Sequence, residues 1–358
     1  MALPQPMRRI LDLARRSNAS DVHLVAGVPP TFRVSGEIIL ADTAPLSAEQ
    51  VGQLALSLLN DVQKEEFEHS WQICCSVFDE EFGRFRVSVY LHCGRPEAAI
   101  RPVLNQLYTR EELRLPEIVE DLTRLPSGLV LITGPTGSGK TTTMNFMVDL
   151  INSERRCKVI TIEDPVEYVH ARKKAIVVQQ ELYTDVKSFS QALVHVLRQD
   201  PDVIGVGEMR DYETTATGLV AAETGHLVIA TCHTPNAVQT VERIVSVFPY
   251  QQQPQVVTQL SNCLQGIIAQ RLIPAADKKR RLLACEVLMA TPAARHHIRK
   301  QQFHQLVSVM QTGQAEGMQT MDDSLRDLYE AGEITYDAAV GNASNPQHMR
   351  EELSGDQS

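Results

Sequence analysis

The spacing of apolar positions divides the chain into two parts with different rhythms. In the first hundred residues, short helical and strand patterns alternate. Residues 8–16 set Ile10, Leu11, Leu13 and Ala14 among arginines and predict a helix, as do residues 47–59. Residues 21–25 and 31–34 predict strands on either side of Val28-Pro29-Pro30. Residues 84–90 alternate Phe85, Val87 and Val89 with Arg84, Arg86 and Ser88, the period-two mark of a half-buried strand. From Gly128 the rhythm changes to short continuous apolar runs at 128–133, 159–162, 203–206 and 227–231. Such runs predict strands buried on both faces. Between them Phe189, Ala192, Leu193, Val196 and Leu197 fall at helical spacing. Strands alternating with helices imply a parallel sheet covered on both sides. Beyond about Leu288 the pattern is helical. There Thr320-Met321-Asp322-Asp323 has the form of a capping box, Met321, Leu325 and Leu328 give one apolar face, and Gly332 is a stop.

These patterns predict an α/β protein with an N-terminal α/β domain over 1–104 and a linker over 105–127, where Leu115-Pro116 and Leu125-Pro126-Ser127 interrupt a polar stretch. A second α/β domain is expected over 128–341, followed by a tail over 342–358 whose Asn, Ser, Gln and Glu predict disorder. Composition narrows the function. A net charge of −10 argues against nucleic acid as the partner, and the short clusters Arg172-Lys173-Lys174 and Lys278-Lys279-Arg280-Arg281 read as solvated surface. Seven cysteines without a C-x-x-C pair indicate neither a zinc ribbon nor a disulfide framework, as expected of a cytoplasmic chain. No apolar run approaches the roughly 20 residues that span a bilayer, so no direct membrane insertion is expected.

The sharpest chemical signal is Gly134-Pro135-Thr136-Gly137-Ser138-Gly139-Lys140-Thr141, a complete G-x-x-x-x-G-K-[ST] between an apolar run and a helical pattern. Glycines at this spacing let backbone N–H groups turn inward on phosphate oxygens, and the helix adds the positive end of its dipole. These residues with Thr142 are expected to bind ATP, Lys140 reaching the outer phosphates and the Thr141 hydroxyl ligating Mg2+. Ile162-Glu163-Asp164-Pro165-Val166-Glu167 ends the next predicted strand, where open α/β sheets gather ligand-binding groups. Glu163 is read as the group that orients or deprotonates water, and Asp164, before a proline, as a turn or cap. Val203-Ile204-Gly205-Val206-Gly207-Glu208 is an apolar strand ending in a carboxylate, the Walker B form, with Glu208 holding Mg2+ through water. Gly205 interrupts that run and is expected to loosen its packing. His226 and His233 bracket the run 227–231. Without a third ligand they make no metal site, and beside a P-loop they read as γ-phosphate sensors, against the plainer reading of core or surface histidines.

In chain order, GPTGSGKT, ITIEDPVEY, RQDPDVIGVGEMRD and AAETGHLVIATCHT resemble the four boxes of the ATPases of type IV pili and type II secretion, most closely the pilus retraction ATPases. The resemblance extends to Ala19-Ser20-Asp21-Val22-His23-Leu24, to Gly27-Val28-Pro29-Pro30 and to GQAEGMQTMDDSL at 313–325. It implies a PAS-like N-terminal domain, a RecA-like ATPase domain with a helical C-terminal region, and ATP hydrolysis in a homo-hexamer. It implies a cytoplasmic place at the inner face of the membrane, reached through an inner-membrane platform protein, with a paralogous ATPase as a further partner. It also implies that N-terminal arginines complete the nucleotide site across a subunit junction. Arg86 in GRFRVS and Arg101 in AIRPV match, with Arg84 behind them; a solvated strand face is the plainer reading of Arg84 and Arg86.

The function implied is pilus retraction, as in twitching motility. An assembly or secretion ATPase and a low-activity accessory nucleotide-binding subunit are the alternatives. Where the retraction ATPases carry A-I-R-N-L-I, this chain has Ala293-Ala294-Arg295-His296-His297-Ile298, two histidines replacing the Asn-Leu pair. The tetra-cysteine zinc insertion of many secretion-branch ATPases is absent.

Overall fold

The structure is a computed structural model and describes residues 3–34, 36–103 and 106–355. The expected boundary between residues 104 and 105 and the last three residues of the tail lie outside them. The chain forms two compact units. One comprises Met1–Gln106, Ile162–Val169 and Gln179–Gln191, the other Leu107–Thr161, His170–Val178 and Ala192–Ser358.

In the first unit, β1 (Asp21–Leu24), β2 (Thr31–Val34), β3 (Glu37–Leu40), β4 (Gln72–Asp79), β5 (Gly83–His92) and β6 (Arg95–Pro102) form one sheet in the order β3-β2-β1-β6-β5-β4. Its pairings are antiparallel. The predicted alternation holds in β5, where Phe85, Val87 and Val89 are buried and Arg84, Arg86 and Ser88 are not. The helix Gln5–Arg16 buries Met7, Ile10, Leu11 and Ala14 in the same core, and its arginines face outward. Capping boxes at Ser47 with Gln50 and at Asn60 with Gln63 start the next two helices, each satisfying orphan N–H groups of a first turn.

The second sheet contains β7 (Gly128–Thr133), β8 (Lys158–Glu163), β9 (Ile176–Glu181), β10 (Val203–Val206), β11 (Leu227–Cys232), β12 (Leu264–Pro274) and β13 (Arg281–Met289), in the order β13-β12-β7-β11-β10-β8-β9. β12, β7, β11 and β10 run parallel, and β13 returns antiparallel against β12. Every residue of β7, β10 and β11 is buried, as continuous apolar runs require of strands covered on both faces. β8 and β9 begin in the second unit and end in the first.

Two expectations are corrected. Gly205 does not loosen β10. A Cβ there would stand 2.8 Å from Thr161 Cγ2, so the missing side chain is what lets the two backbones approach. The tail does not fray either: Pro346–Gly355 is helical, with Met349 and Leu353 buried beside Leu325, Ala339 and Val340. Asp322 Oδ1 and Oδ2 accept from the Ser344 and Asn345 backbone N–H groups at 2.6 and 3.1 Å, which fixes the helix start. The capping box at Thr320 and Asp323 forms as expected, and Gly332 takes φ +70° past the helix it ends. Among the described residues no helix is long and apolar enough to cross a membrane. All seven cysteines are free, and burial pushes the thiols of Cys75, Cys232, Cys263 and Cys285 up to about 12.

Candidate functional site

The loop after β7 is shaped by close approach and by positive φ. An added Cβ on Gly134 would stand 2.3 Å from the Gln270 carbonyl of β12, so only glycine lets the loop leave the sheet there. Gly139 opens the helix Lys140–Glu154 at φ +91°, with open space where a side chain would stand. Pro135, Thr136 and Gly137 are exposed at the loop's top, whereas Ser138 is buried and its Oγ has no hydrogen-bond partner among the described residues. Thr141 and Thr142 are half-buried in the first helical turn. Gln270, which the sequence did not single out, also donates from Nε2 to the Thr143 hydroxyl at 2.7 Å and ties β12 to this helix.

Three neighbouring strands bring their carboxyl ends to this loop. Lys140 Nζ donates to the Gly134 and Pro135 carbonyls at 2.8 and 3.0 Å and lies 3.3 Å from His233 Nδ1. His233 follows β11, and its Nε2 lies 2.9 Å from Oε1 of Glu208, two residues past β10. A charged lysine can only donate, so His233 accepts at Nδ1 and gives its Nε2–H to Glu208. Arg210 Nε bonds the same carboxylate oxygen. Burial holds the Lys140 ammonium below its ordinary value, with Glu208 pulling the other way. The Thr231 hydroxyl bonds the Gly207 carbonyl, and the Met209 N–H donates to Thr231 O at 2.9 Å, so β11 fixes the turn that carries Glu208.

His226 is not part of this group. It precedes β11 at the opposite end, where Nδ1 lies 3.0 Å from the Ala221 carbonyl and 3.4 Å from Thr224 Oγ1. With a strand rise of about 3.3 Å per residue, roughly 20 Å of strand separates it from His233. His233 therefore joins Lys140 and Glu208 within this chain, and His226 stands apart from them at the other end of the strand.

In the first unit, Glu163 ends β8 with 2% exposure, and its Oε1 accepts from Gln179 Nε2 at 2.9 Å. The Asp164–Pro165 peptide bond that follows is cis. Arg86 and Arg101 are cross-strand partners on β5 and β6. Arg86 lies 3.8 Å from Glu167 of the same loop, and Arg101 pairs with Asp21 at 2.7 Å. Burial pushes the Asp21 carboxyl up, but hydrogen bonds from Arg101 and Ser20 outweigh it and hold it below its ordinary value. Both guanidinium groups keep large exposed fractions, 44% and 65%. Arg84 differs: at 22% exposure it bonds Ser76 Oγ at 2.5 Å and Glu181 at 3.3 Å, which makes it a packed structural group.

The altered C-terminal motif lies on the helix Pro292–Arg299. Ala294 and Ile298 are fully buried, and Arg295 donates to the Ser261 and Asn262 carbonyls at 2.7 Å, closing the end of the helix Gln253–Cys263. His296 is exposed and His297 half-buried, their rings edge to face at 5.6 Å. Arg295 and Ile298 of the motif are kept, Ala294 stands at the buried position where the motif has Ile, and the two histidines fall on the helix's outer side.

Residues 97–352 match the family model described as type II/IV secretion system protein. The chain is 42% identical over 95% of its length to a twitching motility protein of Neisseria gonorrhoeae, covering 92% of that protein. It is 39% identical over 96% of its length to the type IV pilus ATPase PilU of Pseudomonas aeruginosa, covering 90% of it. Among solved structures, the crystal structure of the pilus retraction motor PilT with bound ADP superposes with a TM-score of 0.88 at 43% identity, over 96% of this chain and 98% of that one. With most of its length matched at this identity, the chain belongs to the type II/IV secretion system protein family, among its pilus ATPases.

Proposed function

We propose that the chain hydrolyses ATP as one subunit of a homo-hexameric motor that retracts a type IV pilus, docked on an inner-membrane platform protein. The observation that carries this reading is the line Lys140–His233–Glu208 beside the loop 134–139, a cation, an imidazole and a carboxylate delivered by three neighbouring parallel strands. The residues present fit the phosphates of ATP and Mg2+. Gly137 and Gly139 face open space, the buried Ser138 Oγ lacks a partner among the described residues, and Thr141 and Glu208 offer hydroxyl and carboxylate oxygens. Bound Mg2+ supplies neutralising charge on the phosphate oxygens. Lys140 exchanges its bonds to its own loop carbonyls for the outer phosphates, and Glu163 orients the attacking water and takes its proton. His233 reports the state of Glu208 to Lys140, and Arg86 and Arg101 reach the site of an adjacent copy.

One observation favours the alternative of a weakly hydrolysing subunit that works beside a paralogous ATPase. His296 and His297 change the outer side of a helix that keeps Arg295 and Ile298 of the motif. Steady-state ATP turnover measured beside light scattering separates the two: an active ring supports the motor, and turnover only with the paralogue supports the alternative. In the same assay Lys140→Ala abolishes turnover and weakens nucleotide binding, since the phosphates lose the loop's cation. Near wild-type turnover overturns the site. Mixing Lys140→Ala with Arg86→Ala chains restores part of the activity, and rings that exchange subunits without recovery overturn the arginine's action in trans.

A further inference from the structure

The strand β9 has a sequence, IVVQQE, in which no residue carries an evident function, yet Gln179 and Glu181 both bond to the loop that follows Glu163. Gln179 Nε2 donates to Glu163 Oε1 at 2.9 Å and to the Tyr168 carbonyl at 2.8 Å, so one amide grips both ends of the segment 163–168. The backbone is joined as well, Leu182 N–H donating to the Glu163 carbonyl at 2.9 Å. Two residues along, Glu181 is 3% exposed. Its Oε2 accepts from the Val166 N–H at 3.0 Å, the Ser76 hydroxyl at 2.5 Å and Arg84 at 3.3 Å. Its Oε1 accepts from the Ser76 N–H and the Thr184 hydroxyl, both at 3.0 Å. Arg84 further reaches the Val166 carbonyl at 3.5 Å. All of these residues belong to the first compact unit.

A buried carboxylate with this many donors costs much to unpair, because each donor would lose its bond away from water. It is therefore a rigid junction. It fixes the middle of the 163–168 loop to β4 through Ser76 and to β5 through Arg84, while Gln179 fixes the ends. A catalytic carboxylate has to be held within fractions of an ångström, and a displacement of about 1 Å can cost on the order of 10²-fold in rate.

We propose that Gln179 and Glu181 are positioning residues for ATP hydrolysis. On this proposal they set the Glu163 carboxylate by locking its loop to the β4–β5 edge, so that the N-terminal sheet dictates where that group stands. This rests on the reading of Glu163 as the group that acts on water. The experiment is a double-variant cycle in the full-length chain, reading kcat, KM for ATP and affinity for a fluorescent ADP analogue. Glu181→Gln and Gln179→Met each lower kcat about 10- to 100-fold, with KM and nucleotide affinity within about twofold of wild type. Combined with Glu163→Gln, neither lowers kcat further, because both act through a carboxylate already removed.

A purely structural role gives a different result: losses that multiply with that of Glu163→Gln, or nucleotide affinity that falls in step with kcat. Either outcome overturns the proposal, as does wild-type kcat in both single variants. If Glu163→Gln alone leaves kcat intact, the underlying assignment of Glu163 fails instead, and the two failures are told apart. Should Glu181→Gln not fold, the Gln179→Met arm decides by the same criteria.

Discussion

Glu181 and Glu208 both stand where a strand of the seven-stranded sheet ends, and their surroundings differ. Glu181 is 4% exposed at the side chain, and both its oxygens are filled by donors from Ser76, Arg84, Val166 and Thr184. Glu208 keeps 15% of its side chain exposed and meets an imidazole that is itself 37% exposed and a guanidinium that is 73% exposed. The first region is closed, since any exchange of partners leaves a buried group unpaired. The second faces solvent through partners that are themselves exposed, a setting in which a carboxylate can take up water or a cation. A charge near a strand end is therefore weak evidence of chemistry by itself; how far its partners are exchangeable separates a working group from a structural one.

The largest effect that tests this contrast is on rate. Glu208→Gln and Glu163→Gln each slow turnover by about 10²–10⁴-fold while nucleotide stays bound, the range for groups that act on water or a proton. Thermal unfolding of the nucleotide-free Glu208→Gln chain stays near that of wild type, because the groups it touches are half solvated. A marked loss of stability without a rate effect places Glu208 with Glu181 on the structural side and breaks the comparison.

A smaller effect separates the two histidines. His233→Asn lowers turnover by roughly tenfold or more, at the low end of what a positioned group contributes. His226→Asn leaves it within about twofold, because its Nδ1 lies by the Ala221 carbonyl at the far end of β11. Equal losses in the two variants, measured as kcat under saturating ATP, contradict the separation of about 20 Å along the strand.

What could be read in advance follows from how local each signal is. The loop 134–141, the buried runs of β7, β10 and β11 and the strand-end Glu208 are each contained in a few consecutive residues, and so were legible. The joining of Lys140, Glu208 and His233 was legible in outline, because parallel strands bring their carboxyl ends to one side. That the two histidines stand at opposite ends of β11 was legible too, since they bracket the run 227–231; that His226 turns to the Ala221 carbonyl was not. Glu181 was invisible because its partners Ser76 and Arg84 are 105 and 97 residues away in sequence. The polar run QQE also lacks the alternation that announces a strand. The tail misled for the opposite reason. Its composition is polar, but Met349 and Leu353 are one helical turn apart, and two buried side chains with the Asp322 cap hold the helix in place.

The same contrast between closed and open surroundings predicts an acid sensitivity that does not belong to the ATP site. His170 has a fully buried side chain; Nε2 lies 3.3 Å from Asn145 Oδ1 and Nδ1 lies 3.9 Å from Asp149. Burial pushes its pKa from 6.5 down to about 4, although Asp149 pulls it upward and Lys173 adds to the fall. The native state thus resists a proton that the unfolded chain accepts near pH 6.5. The stability linked to His170 is complete above that pH and drains away as pH falls toward 4. At 1.36 kcal/mol per pKa unit, lowering the pH from 7 to 4.5 costs about 2–3 kcal/mol. Urea unfolding at both pH values reads the difference, and His170→Gln, which cannot titrate, loses that much less than wild type. Carboxylates titrate in both chains and cancel in the comparison. An equal loss in the two chains means that the folded protein takes up a proton on His170 as readily as the unfolded chain and that its surroundings are open after all.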